Sequence, residues 1–376
     1  MIKQAFIGAD VFDGKRLYQD AALLLSDGAV DAIIDAQSVP DSYAITTMDG
    51  GTILPGFVDL QVNGGGGVMF NDAPSVKGLT TIAEAHARTG TRAFLPTLIT
   101  DTPDRTSAAI DAVATAIAQK VPGILGLHLE GPHLSLAKKG AHDPALIRPM
   151  TANDLAELLD AAKRLPNLMV TVAPENVTFD QVKHLSEHGV IVSLGHTNCS
   201  YDTAQQAIAA GATCVTHLFN AMSQMDSRAP GLVGAALGTP GVMAGLIADG
   251  IHVHPKTIQV ALSATADESD IFLVTDAMST VGSDRTSFLL NGRKVLRQDG
   301  RLTLEDGTLA GADLDLPQAI ATLIKDVGVP REQAFAMATA VPAKRLLRPA
   351  SFGNFSRGFA ANAIHLRQDF TYAPLP

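Results

Sequence analysis

The stretch Val190-Ile191-Val192-Ser193-Leu194-Gly195-His196, followed by a helical segment and then by Cys214-Val215-Thr216-His217-Leu218-Phe219-Asn220, decides how the chain is read. Two short apolar runs rich in β-branched residues each stop at a histidine. Between them, residues 200–211 carry helix formers, with Ser200 or Asp202 placed to cap the start and Gly211 to end it. This is strand, helix, strand, with an imidazole just past each strand end. In a parallel sheet, open or closed, the carboxyl ends of the strands lie on one face, and that face carries chemistry. Two imidazoles delivered there by neighbouring strands can bind one metal ion.

Working outward, the same alternation extends in both directions. Candidate strands fall at 53–61, 93–98, 124–129, 168–173, 190–194, 214–218, 242–248 and 271–275, with helical patterns at 79–89, 106–119, 154–165 and 255–264. Strands alternating with helices imply parallel βα units. Eight of them fit an α/β fold of the (β/α)8 TIM-barrel type, with a doubly wound open sheet as the alternative. Polar residues recur after the strands: Asn63, Thr97, Glu130, Glu175, His196, His217, Asp249 with His252, and Asp276. Convergence from so many strand ends is easier in a barrel.

Flanking this region, residues 1–52 are short strand-like pieces with hairpin signals at Asp13-Gly14 and Asp27-Gly28. Residues 288–304 show hairpin character around Asn291-Gly292 and Asp299-Gly300; helical patterns follow at 316–327 and 330–346, and 353–366 is strand-like again. The expected organisation is a hydrolase barrel over 53–349 and a small β-sandwich domain made from 1–52 plus 350–376.

Composition bounds the function. Of 376 residues, 46% are hydrophobic, and 28 basic against 38 acidic residues give a net charge of −10, which argues against nucleic acid as partner. The two cysteines, Cys199 and Cys214, have no metal or redox spacing, so a reducing cytoplasm is the default location. The first residues do not read as a signal peptide, and no apolar run approaches a membrane span.

Among the strand-end residues, Glu130, His196 and His217 form the strongest set. A single such histidine is more often a hydrogen-bonded core residue. Two of them with a carboxylate make an open metal site with room for water and substrate. Asp276 closes the eighth strand, where a carboxylate can take a proton from water and return it to a leaving amine. Asn220, Arg228, His142 and His252 are polar residues on the same presumed face, and the Arg228 guanidinium suits a phosphate or carboxylate. The first strand, Asp59-Leu60-Gln61-Val62-Asn63, lacks the His-x-His that would hold a second metal, so one metal per chain is expected. His86, His184 and His188 read as solvated helix residues, and His128 shares a strand face with Glu130.

Several stretches resemble the N-acetylglucosamine-6-phosphate deacetylase family of the amidohydrolase superfamily: Pro55-Gly56-Phe57-Val58-Asp59, Leu127-His128-Leu129-Glu130-Gly131-Pro132, Lys139-Gly140-Ala141-His142, Gly195-His196-Thr197-Asn198, the run from Thr216 to Met222, Ala248-Asp249-Gly250-Ile251-His252, Thr275-Asp276-Ala277-Met278 and Leu309-Ala310-Gly311. The resemblance implies a homodimeric hydrolase in which Glu130, His196 and His217 bind one divalent metal, zinc foremost, with iron(II), manganese or cobalt as alternatives. It implies Asp276 as base then acid, and His142 polarising the acetyl carbonyl. Ala141, Asn220, the Ala221 amide, Arg228 and His252 would hold the amino-sugar phosphate, some across a subunit interface. Leu309, Ala310 and Gly311 would line the sugar. Ser223, Asp313 and Asp315 depart from the family pattern near the sugar. The rival readings are the galactosamine epimer or another N-acyl amino sugar as substrate, and a barrel that has lost catalysis.

Overall fold

The computed structural model describes residues 2–265, 267, 270–347 and 352–376. Its centre is an eight-stranded sheet whose strands pair in chain order: β1 (Phe57–Val62), β2 (Thr91–Ile99), β3 (Leu127–Glu130), β4 (Leu168–Val172), β5 (Val190–Leu194), β6 (Cys214–Val215), β7 (Met243–Leu246) and β8 (Ile271–Leu273). Every neighbouring pair is parallel. A parallel bridge from Val62 to Ala277 brings the last strand back to the first, which closes the barrel. The open-sheet alternative is thereby excluded.

Helices cover the outside, and their starts follow capping chemistry. Ser75, Thr102, Thr151, Thr178 and Ser200 each cap a helix with the side-chain oxygen, and Thr151 and Thr178 complete full capping boxes. Ser200, rather than Asp202, is the cap of the helix Tyr201–Ala209. One continuous core runs from the strands to these helices, with Leu60, Leu95, Val192, Leu246 and Phe335 almost fully buried.

The strand expected over 53–61 is two strands. Thr52–Pro55 leaves the barrel and pairs in parallel with Asp10–Phe12 and antiparallel with Ala363–Leu366. The break falls at Gly56, where an added Cβ would lie 2.1 Å from the Arg92 side chain. Strands from both ends of the chain thus meet in one five-stranded sheet, beside a four-stranded sheet of N-terminal strands. The boundary drawn at 349 and 350 lies outside the described residues. Asp27-Gly28, Asn291-Gly292 and Asp299-Gly300 are all turns with both residues at positive φ, as the hairpin reading requires. The expected helix over 330–346 breaks at Thr339, which takes φ −132° and ψ −87° between Arg331–Ala338 and Ala340–Arg345.

Candidate active site

At the carboxyl ends of the strands lies a cavity of about 380 Å³. Glu130 ends β3. His196 follows β5 by two residues and His217 follows β6 by two. Their ligand atoms meet in a triangle. His196 Nε2 is 3.1 Å from Glu130 Oε1, His217 Nε2 is 3.0 Å from the same oxygen, and the two nitrogens are 3.0 Å apart. Donors bonded tetrahedrally to one zinc-sized ion would stand about 3.4 Å apart, so the triangle fits a shared divalent cation with little movement. His196 Nδ1 sits 2.8 Å from the Lys138 carbonyl. A carbonyl only accepts, so the proton is on Nδ1 and the Nε2 lone pair faces the triangle.

Carboxylate and imidazoles are strongly coupled here. Burial alone would raise Glu130, but the two imidazoles hold its carboxyl well below the ordinary range. Burial alone would lower His217, and the Glu130 bond outweighs it, so the imidazole stands above its usual value.

Glu130, His142 and His196 also offer atoms within 4.8 Å of one another. His142 is arranged otherwise. Its Nδ1 accepts from the Thr100 amide at 3.3 Å and lies 2.8 Å from Thr100 Oγ1. That places the ring proton on Nε2, so His142 meets the cavity as a donor rather than a lone pair. Burial, then the neighbouring His196, pushes its pKa well down, which keeps it neutral. Glu130, His196 and His217 bring their ligand atoms to one triangle, whereas His142 turns a proton toward it.

Across the cavity, Asp276 Oδ1 accepts from Asn63 Nδ2 at 2.7 Å and from Gln61 Nε2 at 3.0 Å, and the same Gln61 nitrogen is 3.2 Å from Glu130 Oε1. Gln61 and Asn63 stand two apart on one face of the first strand. In place of ligands for a second metal, they supply amide protons between the two carboxylates. Their role as donors was not legible beforehand; only their unsuitability as ligands was. Burial, then the Glu130 charge, raises Asp276 to about 6.

His196, His217, Ala221 and Asp276 all take positive φ, at +47°, +29°, +48° and +50°. Such backbone is costly for non-glycine residues, and its clustering at strand ends is a mark of a functional site.

Of the expected substrate residues, Ala141, His142, Asn220, Ala221, His252, Leu309 and Gly311 line the cavity. Asp249 fixes His252: its Oδ2 is 2.6 Å from His252 Nδ1, and its Oδ1 accepts from the His252 amide at 2.8 Å. Two residues are not brought in. Ala310 is buried beneath the turn, packed with Phe288 and Leu302, because Leu309 and Gly311 take the cavity side. Arg228 is exposed in the loop after Met222 and does not reach this chain's cavity. Thr308 and Leu290 line it as well, from the hairpin after β8, which sequence patterning gave no means to fold over the site. Asp313 adds no free charge there, being held by Arg297 at 2.6 Å, and Asp315 caps the helix Leu316–Thr322.

Other histidines correct the sequence reading in part. His86 is buried, not solvated, with Nε2 2.9 Å from the Gly64 carbonyl, because its helix turns that face toward the loop after β1. His184 and His188 are exposed as expected. His128 lies below the triangle, bonded to Thr171 Oγ1 at 2.8 Å.

A closed parallel barrel with two imidazoles, a carboxylate and a buried aspartate at its strand ends defines the class of metal-dependent barrel hydrolases. The chain belongs to the amidohydrolase family, whose model matches residues 52–374. It is 42% identical to N-acetylgalactosamine-6-phosphate deacetylase of Shewanella sp. (strain ANA-3), over 96% of this chain and 91% of that one. It is 32% identical to N-acetylglucosamine-6-phosphate deacetylase of Haemophilus influenzae, over 96% and 94%. The crystal structure of N-acetylglucosamine-6-phosphate deacetylase from Pasteurella multocida superposes with a TM-score of 0.93 at 35% identity, covering 99% of this chain and 97% of that one.

Proposed function

We propose that the protein hydrolyses the N-acetyl group of N-acetylglucosamine 6-phosphate, releasing acetate and glucosamine 6-phosphate. The observation that carries the reading is the Glu130–His196–His217 triangle facing Asp276 across one cavity, with His142 presenting an N–H beside it. Glu130, His196 and His217 would hold one divalent ion, zinc foremost by ligand type, with iron(II), manganese or cobalt also suited to the set. When bound, such an ion supplies Lewis-acid polarisation and favours deprotonation of water at neutral pH.

The chain's own residues do the rest. Asp276, anchored through Oδ1 by Gln61 and Asn63, keeps Oδ2 for proton transfer. It takes a proton from the attacking water and later gives it to the departing amine. His142 Nε2–H donates to the acetyl oxygen as charge develops there. Asn220, the Ala221 amide and His252 hold the sugar phosphate, with Ala141, Leu309 and Gly311 against the ring. Arg228 would reach the phosphate of a neighbouring subunit's substrate, in a homodimer. The protein works in the cytoplasm on this reading, in keeping with its two free, buried cysteines.

The galactosamine epimer is the second reading, favoured by the 42% identity to an N-acetylgalactosamine-6-phosphate deacetylase. The test is elemental mass spectrometry of the purified protein, paired with acetate release from both epimers. About one transition metal per chain and rapid release from the gluco substrate support the first reading. A kcat/KM larger for the galacto substrate moves the assignment to the epimer. Two metals per chain would refute the role given to Gln61 and Asn63.

A further inference from the structure

Every adjacent pair of barrel strands shares a ladder except β8 and β1, which meet just past the end of β8 at the bridge from Val62 to Ala277 and the backbone bonds around it, from the Asp276 amide to the Gln61 carbonyl and from the Asn63 amide to the Ala277 carbonyl. Below that bridge a side chain spans the seam. Asp59 is fully buried on β1. Its Oδ2 accepts from Thr275 Oγ1 at 2.5 Å, both its oxygens lie 3.3 Å from the Thr275 amide, and its Oδ1 accepts from the Gln61 amide at 3.1 Å. Burying a carboxylate is expensive, and an apolar residue would fill the space at less cost. Burial pushes this one up to about 7, against the bonds from Thr275 and Gln61.

The two residues that Asp59 grips are the neighbours of the chemistry. Gln61 extends the amide that touches both Glu130 and Asp276. Thr275 immediately precedes Asp276, whose backbone is left-handed at φ +50° and whose amide donates to the Gln61 carbonyl at 3.0 Å. A strained residue keeps its conformation only while its surroundings over-determine it.

We propose that Asp59 is a positioning residue for the hydrolysis: through Gln61 and Thr275 it fixes the Asp276 carboxylate relative to the Glu130–His196–His217 triangle. The inference rests on the reading of Asp276 as the proton-transfer group.

The test compares Asp59→Asn, Thr275→Val, Thr275→Ser and the double variant Asp59→Asn/Thr275→Val. Turnover is expressed per folded, metal-loaded chain, from circular dichroism and metal content. Asp59→Asn and Thr275→Val are expected to lower kcat about 10- to 100-fold with KM within about threefold, the size of effect that a displacement on the order of 1 Å produces. Thr275→Ser keeps the hydroxyl and is expected to stay within about threefold of the parent. The double variant should be no worse than the poorer single, because both act through one contact. Full turnover per loaded chain in Asp59→Asn, or an equal fall in Thr275→Ser and Thr275→Val, overturns the proposal. Should Asp59→Asn not fold, the Val and Ser pair at 275 decides by the same criterion. Near-normal turnover in Asp276→Asn would remove the reading underneath; an inactive Asp276→Asn beside active Asp59→Asn and Thr275→Val would remove only this inference.

Discussion

Replacing Asp276 by Asn removes the proposed proton-transfer group and leaves its anchorage in place. The Asn side-chain oxygen can still accept from Gln61 Nε2 and Asn63 Nδ2, which now reach Oδ1 at 3.0 and 2.7 Å. The cavity shape is therefore kept, and substrate binding should be too. One positioned general acid or base contributes about 10²- to 10⁴-fold. On the proposed reading Asp276 serves first as base and then as acid, so the upper half of that range is expected: a kcat lower by about 10³- to 10⁴-fold, or about 4–5.5 kcal/mol in the barrier, with KM within about threefold. The pH profile gives a second reading. A base must be ionised, and Asp276 stands at about 6 because of burial and the Glu130 charge. In the parent, kcat/KM should fall tenfold per pH unit on the acid side, with the limb at or below 6, since a bound cation adds positive charge nearby and favours the carboxylate. In Asp276→Asn that limb should vanish from the residual activity. Acetate release followed between pH 4.5 and 8 measures both. A variant with turnover within tenfold of the parent, or with an unchanged acid limb, refutes Asp276 as the proton carrier.

Three further outcomes are expected. On the proposed reading, in which Arg228 reaches the phosphate of a neighbouring subunit's substrate, Arg228→Ala should raise KM for the phosphorylated sugar at least tenfold and leave the unphosphorylated one unaffected; equal effects in steady-state assays of the two would deny that role. Gly131→Ala should lose activity beyond its loss of stability, because φ is +99° and an added Cβ would sit 2.1 Å from Thr100 Oγ1, the group that orients His142; kcat per folded chain, against a melting curve, checks it. Asp154→Asn should cost about 1 kcal/mol at neutral pH, a modest figure because its partner Arg148 is a third exposed. Burial would raise Asp154, but Arg148 and Thr151 overcome it and hold the carboxyl low. A depressed carboxyl stabilises the fold above its unfolded pKa near 4 and loses that contribution as pH falls, so the variant should show a shallower acid decline in urea titrations between pH 5 and 2.5.

Much of the site could be read from the chain because strand-end chemistry is local. His196 and His217 lie where apolar runs stop, Glu130 precedes Gly131-Pro132, and Asp276 ends the eighth run; each is placed by its own strand, and parallel strands deliver their ends to one face. The start of the helix after Ser200 was readable too, since that cap acts within three residues of itself, whereas the starts expected at 79, 106 and 154 fall two or three residues inside helices that begin at Val76, Pro103 and Ala152. The tertiary structure decided what depends on groups far apart in sequence. It split the run over 53–61, because Thr52–Pro55 finds its partners at Asp10–Phe12 and Ala363–Leu366, outside the barrel. It buried His86 against Gly64, 22 residues away, where helical patterning suggested solvent. It left Arg228 outside the cavity and folded the hairpin after β8 over it, neither of which a local pattern encodes. Strand-end position marks Glu130, His196, His217 and Asp276 as candidates for hydrolysis. Only closure of the barrel, with Asp59 and Gln61 reaching across more than 200 residues to Thr275 and Asp276, sets their distances; those bonds join positions with no sequence relation and exist only once β1 and β8 are side by side.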